Sequence, residues 1–174
     1  AAAQGLDGET AAEIFRQLNA FSGYGFCKSH AAAFALVAYQ TLYLKAHFPA
    51  EFYCALLNHQ PMGFYPPEVL AGDARRHGVP ILGPDLNRSE VACTLEKTPS
   101  APAVRLGLRY VRGLGETGPA RLVERRGERP FQSLTDLCRR TRLPRPVVEN
   151  LVRAGALDGL GKARRDLLWE LGTL

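Results

Sequence analysis

The sequence has no run of about 18 uncharged apolar residues, the length a helix needs to cross a bilayer. Its first ten residues, AAAQGLDGET, lack the basic stretch and the long apolar stretch of a signal peptide. They also lack an initiator methionine, and AAAQG resembles the tail of an earlier element. We therefore expect a segment excised from a longer chain, located in the cytoplasm and without a membrane partner.

The sequence also lacks the cysteine and histidine spacings of a metal site. Cys27, Cys54, Cys93 and Cys138 are far apart and form no CxxC pair, so zinc and disulfide frameworks are disfavoured. We expect reduced, mostly buried thiols. No acidic pair has the arrangement of a two-metal site. The remaining candidate ligands are isolated histidines without ligand-like spacing: His47, His59 and His77.

Positive charge is scarce in the first part of the chain and concentrated in the last. Residues 1–104 hold 7 Lys and Arg against 9 Asp and Glu, whereas residues 105–174 hold 15 against 8. Such asymmetry predicts that the C-terminal part meets a polyanion. The alternative is a solvated basic surface in an arginine-rich proteome.

Helical periodicity and breaker residues predict a mainly α-helical fold with one short β-hairpin. Apolar residues occupy nearly all faces of the second helix, so we expect it to be buried between neighbours, some of them outside this chain. The predicted elements are a helix over 8–20 capped by Asp7 and ended by Gly23 and Gly25, a helix from its N-cap Ser29 to about Phe48, helices over 50–58 and 67–77, an extended piece at 79–82, strands at 91–96 and 103–108, and short helices over 109–174.

The stretch Gly113-Leu114-Gly115 lies between two predicted short helices of the basic part. Glycines there permit a tight turn and a close approach of the backbone, and the turn leads into a helix N-terminus. Free N–H groups and the positive end of the helix dipole at that point can hold a phosphate oxygen. Arg112, Arg121 and Arg125 can add charge-assisted contacts. The alternative is an ordinary αα-hairpin with a glycine turn.

A second helical pair follows without the glycine turn. Ser133 is expected to cap its first helix, with Asp136 three residues later, and Gly155 is expected just beyond the end of the second helix. This pair is expected to complete a tandem arrangement in a mostly structural role. Its arginines would add positive field: Arg139, Arg140, Arg142 and Arg145. Near the C-terminus, Trp169 is expected to be a packing anchor alongside neighbouring leucines, rather than a base-stacking residue.

Lys28, Ser29 and His30 stand at the start of the apolar second helix. One interpretation is structural, with a serine cap, a solvated lysine and a packed histidine. The other is an anion site, in which Lys28 and His30 combine with the free N–H groups of the helix. The residues alone leave both interpretations open.

Two regions together resemble one family. GYGFCKSHAAAFALVAYQTLYLKAHFPAEFYCALL, residues 23–57, resembles the end of the fingers domain of bacterial C-family DNA polymerases, which include the alpha subunit of DNA polymerase III. VRLGLRYVRGLGE and LVRAGALDGLG are similar to the tandem helix-hairpin-helix of that family, in the same order. NHQPMGFYPPEVLAGDARRHGV, from residue 58, is most like the error-prone paralogue used in translesion synthesis. Cys27 departs from the asparagine that is usual in the family.

The resemblance implies three regions. Residues 1–60 would be the C-terminal part of the fingers, 61–104 a connecting helix, loop and β-hairpin, and 105–174 the tandem helix-hairpin-helix. It further implies a DNA-directed DNA polymerase as the parent enzyme, acting in damage-tolerant replication near the nucleoid. The catalytic carboxylates and their Mg²⁺ would lie in an upstream palm, so this chain would hold no catalytic residue or cofactor of its own and would be inactive alone.

The residue roles implied by the resemblance fall in two places. Lys28, Ser29 and His30 would face the deoxynucleoside triphosphate, with Ser29 mainly a cap. The hairpin would bind duplex DNA without sequence preference through Arg112, Gly113, Leu114, Gly115, Arg121 and Arg125. A sliding clamp or translesion accessory proteins would bind regions outside this chain.

Two other functions compete with this interpretation. One is a stand-alone DNA-binding or adaptor module without catalysis. The other is a helix-hairpin-helix glycosylase, which needs a catalytic aspartate and usually a lysine soon after the hairpin. Asp136 follows the hairpin, but no lysine occurs between Gly115 and Lys162, so the glycosylase is disfavoured.

Overall fold

The computed structural model describes residues 5, 7–22, 27–99 and 101–174, which fall into two compact units, Ala1–Leu44 and Lys45–Leu174. Helices dominate the described residues, so the mainly α-helical prediction is confirmed. The elements are α1 (Gly8–Ser22), α2 (Lys28–His47), α3 (Pro49–Asn58), α4 (Pro67–Arg76), β1 (Ile81–Leu82), β2 (Thr94–Lys97), β3 (Pro102–Arg105), a 3-10 turn (Leu108–Tyr110), α5 (Gly118–Glu128), α6 (Leu134–Thr141), α7 (Arg145–Arg153), a second 3-10 turn (Asp158–Leu160) and α8 (Arg164–Thr173).

The first unit consists of α1 and most of α2. Asp7 caps α1 as predicted, since its carboxylate accepts the N–H of Thr10 at 2.7 Å. The glycines expected to end α1, Gly23 and Gly25, lie outside the described residues. No residue of α2 is buried, although its apolar side chains cover most faces. The predicted burial of α2 is therefore not found within this chain, because the described residues do not supply the neighbours that it requires.

In the second unit, α3 and α4 pack on one face of a small sheet. The sheet has the order β1-β3-β2, with β2 and β3 antiparallel as the predicted hairpin requires. The parallel pairing of β1 with β3 was not predicted. Tyr53 and Leu57 of α3 and Val104 of β3 belong to the core beneath these helices.

A network of polar side chains joins the end of α2 to α3 and α4. Lys45 Nζ donates to Asp73 Oδ2 at 2.8 Å, and the Tyr53 hydroxyl donates to the same oxygen at 2.5 Å. These two contacts hold the pKa of Asp73 well below its usual range. His77, which looked isolated in the sequence, contacts the Tyr53 hydroxyl through Nδ1 at 3.2 Å.

The basic part folds around a separate core formed by α5 to α8 and the first 3-10 turn. Leu108, Leu122, Leu137, Leu151 and Leu167 are each no more than 1% exposed and lie in this one cluster. Ser133 caps α6 by accepting the N–H of Asp136 at 3.0 Å, as predicted. The positive φ of Gly155 likewise agrees with the predicted end of α7.

Two further findings concern the membrane and the cysteines. Within the described part of the chain, none of the helices combines the length and apolar character that a membrane crossing requires. All four cysteines are free thiols. Cys54 and Cys93 are buried and Cys138 is half-buried, but Cys27 is exposed.

Candidate nucleic-acid interface

The glycine stretch forms a tight turn between the first 3-10 turn and α5. Gly113 has φ +90° and Gly115 has φ +63°, backbone conformations that L-residues with a side chain rarely adopt. Between them, the Leu114 side chain is only 7% exposed and anchors the turn in the core. The predicted first helix of this hairpin is reduced to the single 3-10 turn Leu108–Tyr110.

The backbone of this turn presents a row of donors. Across residues 112–117, none of the six consecutive N–H groups finds an acceptor in the described part of the chain. The row ends at Gly118, whose N–H donates back to Leu114 O at 3.1 Å, and the first helical bond of α5 runs from Arg121 N–H to Thr117 O at 3.1 Å. Pro119 is accommodated in the first turn of α5, where a missing N–H does no harm. Exposed N–H groups at the positive end of a helix form a surface suited to a phosphate oxygen.

The three arginines assigned to the hairpin differ in how their charge is used. The side chains of Arg112 and Arg121 are exposed and make no ion pair or hydrogen bond with the described residues. Arg125 is also exposed but pairs with Glu128 at 2.7 Å. Arg121 and Arg125 both line a small pocket between α5 and the end of α6, with Thr141 and Leu143 on its other side.

Side-chain hydrogen bonds hold the glycine turn and the 3-10 turn before it in place. The Asn150 side-chain amide, on α7, donates to Arg112 O at 3.0 Å. On the other side, the Tyr110 hydroxyl donates to Leu57 O at 2.6 Å and Arg109 Nη2 donates to Gln60 O at 3.3 Å. Asn150 thus fixes the glycine turn to the second helical pair, and Tyr110 fixes the preceding 3-10 turn to α3.

Lys28, Ser29 and His30 form the first turn of α2, in the first unit. The predicted cap is wrong: α2 begins at Lys28, so Ser29 lies inside the helix. Cys27 occupies the N-cap position, since its carbonyl accepts the first helical bond from Ala31 N–H at 3.0 Å. The Ser29 hydroxyl contacts Cys27 Sγ at 2.8 Å and, with the N–H groups of His30 and Ser29, lowers the pKa of that thiol. The His30 ring packs edge-on against Phe34 at 4.5 Å between centroids.

Comparison with known families identifies the fold of the basic part. The sequence model of the helix-hairpin-helix motif family matches residues 78–167, more than half of the chain. The chain belongs to the helix-hairpin-helix motif family. The match includes the glycine turn, α5, and the second helical pair formed by α6 and α7, so the predicted motif is confirmed.

Known relatives extend the similarity beyond the helix-hairpin-helix region. The chain is 47% identical over 174 residues to an error-prone DNA polymerase of Aromatoleum aromaticum, covering 97% of this chain and 16% of the relative. It is 45% identical to that of Symbiobacterium thermophilum, covering 100% and 18%. The enzyme of Alkalilimnicola ehrlichii is 49% identical, covering 92% and 16%. The resemblance to error-prone polymerases is thus confirmed, and the chain spans about a sixth of the length of these relatives.

Within the helix-hairpin-helix region, Arg140 is a structural residue and not a surface charge. Its side chain is 10% exposed and lies over the Phe131 ring at 4.4 Å, beside the carboxylate of Asp136 at 3.4 Å. Burial alone would raise the pKa of Asp136, but the Gln132 N–H and the guanidinium groups of Arg129 and Arg140 hold that pKa below its usual range. The expectation that Arg140 adds to the surface field was wrong because its charge is neutralised internally.

The structure also corrects the role predicted for Trp169 and adds a residue, Asn150, that the sequence did not indicate. Leu167 and Leu171 are buried as expected, but Trp169 is 81% exposed, so its predicted role as a packing anchor is wrong. Asn150 was not singled out by any sequence pattern, because its contact with the hairpin spans 38 residues. Among the described residues, no three His, Cys, Asp or Glu side chains come together as metal ligands, and we assign no metal-dependent step to them.

Proposed function

We propose that this chain is the segment of an error-prone DNA polymerase that holds duplex DNA and borders the nucleotide pocket. The observation that carries the proposal is the row of six unpaired N–H groups at residues 112–117. Because the relatives are named error-prone DNA polymerase and are about six times longer, nucleotidyl transfer and its Mg²⁺ would belong to other parts of the parent protein.

Phosphate would be held mainly by the backbone of the turn. The N–H groups of Gly113, Leu114 and Gly115 supply donors, and the N-terminus of α5 supplies the positive end of a dipole. Arg112 and Arg121 add charge that the described residues do not neutralise, and Arg125 adds charge shared with Glu128. Such contacts position a duplex without reading its sequence, so binding is nonspecific and salt-sensitive.

The first unit would face the incoming nucleotide in the parent polymerase. Lys28 is exposed at the N-terminus of α2, where a lysine and the positive end of the helix dipole favour a triphosphate, and His30 lies in the same turn. Ser29 would act through Cys27, to which its hydroxyl is bonded. The exposed apolar side chains of α1 and α2 support a first unit that is covered by other parts of a longer protein.

The division of the chain follows from these roles. Residues 1–60 would be the end of the fingers, 61–104 the connection, and 105–174 the DNA-holding domain. Sliding clamp and translesion accessory proteins would bind regions outside this chain, and association with the nucleoid would follow from DNA binding.

A pair of matched glycine substitutions tests the DNA-holding role. Gly115 and Gly161 both have a positive φ, +63° and +76°, and an added Cβ would meet no atom within 4 Å at either position. Gly115→Ala and Gly161→Ala therefore carry the same backbone strain, roughly 1–2 kcal/mol each. Only the Cβ of Gly115→Ala lies in the proposed phosphate site. We expect this variant to bind duplex DNA roughly tenfold more weakly, and Gly161→Ala to bind like the wild type.

Fluorescence anisotropy with labelled duplexes of two unrelated sequences measures these affinities. Equal affinity for both sequences supports nonspecific binding. Equal loss in both glycine variants, or no binding by the wild type at low salt, contradicts the proposal.

The nucleotide-facing role is tested in the parent polymerase. Lys28→Ala and His30→Ala are expected to raise the nucleotide KM or lower kcat. Arg16→Ala is the control, because Arg16 is exposed on α1 and paired with Glu13 at 2.7 Å. Unchanged steady-state kinetics for both Lys28→Ala and His30→Ala refute this role while leaving DNA binding intact.

A further inference from the structure

The side-chain amide of Asn150 is the contact that α7 makes with the backbone of the glycine turn. Its Nδ2 donates to Arg112 O at 3.0 Å. Asn150 belongs to the second helical pair, whereas Arg112 belongs to the first hairpin. The second pair therefore acts directly on the peptide group that precedes Gly113.

The planarity of that peptide group links the contact to phosphate binding. In a trans peptide, the C=O of one residue and the N–H of the next point in opposite directions. Because Arg112 C=O is turned toward α7 by Asn150, the N–H of Gly113 is turned away from α7. That N–H is one of the six donors without an acceptor in the described part of the chain.

The packing around Gly113 shows that the turn rests closely on α7. A Cβ added to Gly113 would lie 3.4 Å from Asn150 Nδ2 and 3.5 Å from Val147 Cγ2. These are ordinary van der Waals distances, so the side of Gly113 on which a side chain would stand faces α7. Because Asn150 holds the Arg112 C=O at 3.0 Å, a change at Asn150 acts on the peptide group that carries the Gly113 N–H.

We propose that Asn150 is a positioning residue for DNA binding, which aims the Gly113 N–H at a backbone phosphate of the duplex. This inference rests on the proposed DNA-holding function of the hairpin. Asn150 touches no phosphate itself, so it contributes preorganisation and no charge. The second helical pair then has a functional role besides completing the core.

The experiment replaces Asn150 in the full chain and measures duplex-DNA affinity. Asn150→Leu keeps a similar volume without the donor, Asn150→Ala removes the side chain, and Asn150→Gln keeps an amide donor. The control is Asn87→Leu, because Asn87 also fastens a backbone segment, donating to Phe131 O at 2.8 Å and accepting from Phe131 N–H at 2.9 Å. Circular dichroism and Tm identify the temperature at which every variant is folded.

We expect Asn150→Leu and Asn150→Ala to raise Kd roughly three- to tenfold, with partial recovery in Asn150→Gln. The slope of log K against log salt should stay as in the wild type, since no charge contact is lost, whereas Arg112→Ala should reduce it by about one. In ¹H–¹⁵N spectra, the shift of the Gly113 amide on adding DNA should shrink in Asn150→Leu. If Asn150 only stabilised the fold, its replacement would not reduce the DNA-induced shift of the Gly113 amide while leaving the salt slope unchanged.

Three results overturn the inference. They are wild-type affinity in both Asn150→Leu and Asn150→Ala, the same loss in Asn87→Leu as in Asn150→Leu, and an unchanged Gly113 amide response. These outcomes leave the proposed function standing if the wild type binds duplex DNA. Failure of the wild type to bind at low salt overturns both.

Discussion

The salt dependence of DNA affinity separates arginines that contact phosphate from arginines that hold the fold. Arg121 and Arg126 lie on the same helix, α5, but differ in surroundings. The Arg121 side chain is exposed without a partner among the described residues, whereas the Arg126 side chain is 13% exposed, pairs with Glu90 at 2.7 Å and donates to Ser89 O at 2.6 Å. Arg121→Met and Arg126→Met remove the same formal charge from the chain. Only the first should remove a phosphate contact.

The magnitude follows from counterion release. Each neutralised phosphate adds about −0.9 to the slope of log K against log salt, so one contact accounts for about a 3.5-fold loss of affinity between about 50 and about 200 mM salt. Arg121→Met should therefore reduce the steepness of the slope by about 0.9, and Arg126→Met should leave the slope unchanged. Anisotropy titrations at four salt concentrations measure it. Equal slopes for Arg121→Met and the wild type, or a shallower slope for Arg126→Met, refute the reasoning.

Three further predictions concern stability and thiol reactivity. Asp136→Ala should lower the free energy of unfolding by about 3 kcal/mol in urea titrations, because it removes the nearer and more buried of the two carboxylates beside Arg140; a loss under about 1 kcal/mol contradicts this. The pKa of Asp73 is depressed in the folded state, so its stabilisation is complete above about pH 4 and is lost as pH falls further; Asp73→Asn should flatten acid unfolding curves there. Cys27 should react with a disulfide reagent before Cys54, whose pKa burial raises to about 11, and Cys27→Ser should abolish the fast phase.

Local signals in the sequence were enough to place most element ends. Proline fixes φ near its helical value at the start of a helix, and glycine tolerates a positive φ just beyond its end. Accordingly Pro67 opens α4 and Gly78, with φ +76°, follows it, as predicted. The same logic located the glycine turn, because Gly113 and Gly115 both require conformations that other residues resist.

Features that depend on distant neighbours were not predictable. Ser29 is a better N-cap than cysteine by residue preference, yet α2 begins two residues too early for it and Cys27 takes the position. The parallel pairing of β1 with β3 joins segments more than 20 residues apart, and two-residue strands carry no usable pattern. Exposure of Trp169 and burial of Arg140 likewise depend on what the rest of the fold places beside them.

The two hairpins of the tandem motif are unequal as phosphate sites, and their backbones explain why. The second hairpin, between α6 and α7, has Arg142 in the left-handed region with φ 50°, but its N–H already donates to Cys138 O at 2.9 Å. Two prolines, Pro144 and Pro146, carry no N–H at all. The N–H groups of the next two residues both donate to Pro144 O, at 2.9 and 3.2 Å. Few donors are therefore left, against six in the first hairpin, so replacing Arg142 with glycine alone would not create a second phosphate site.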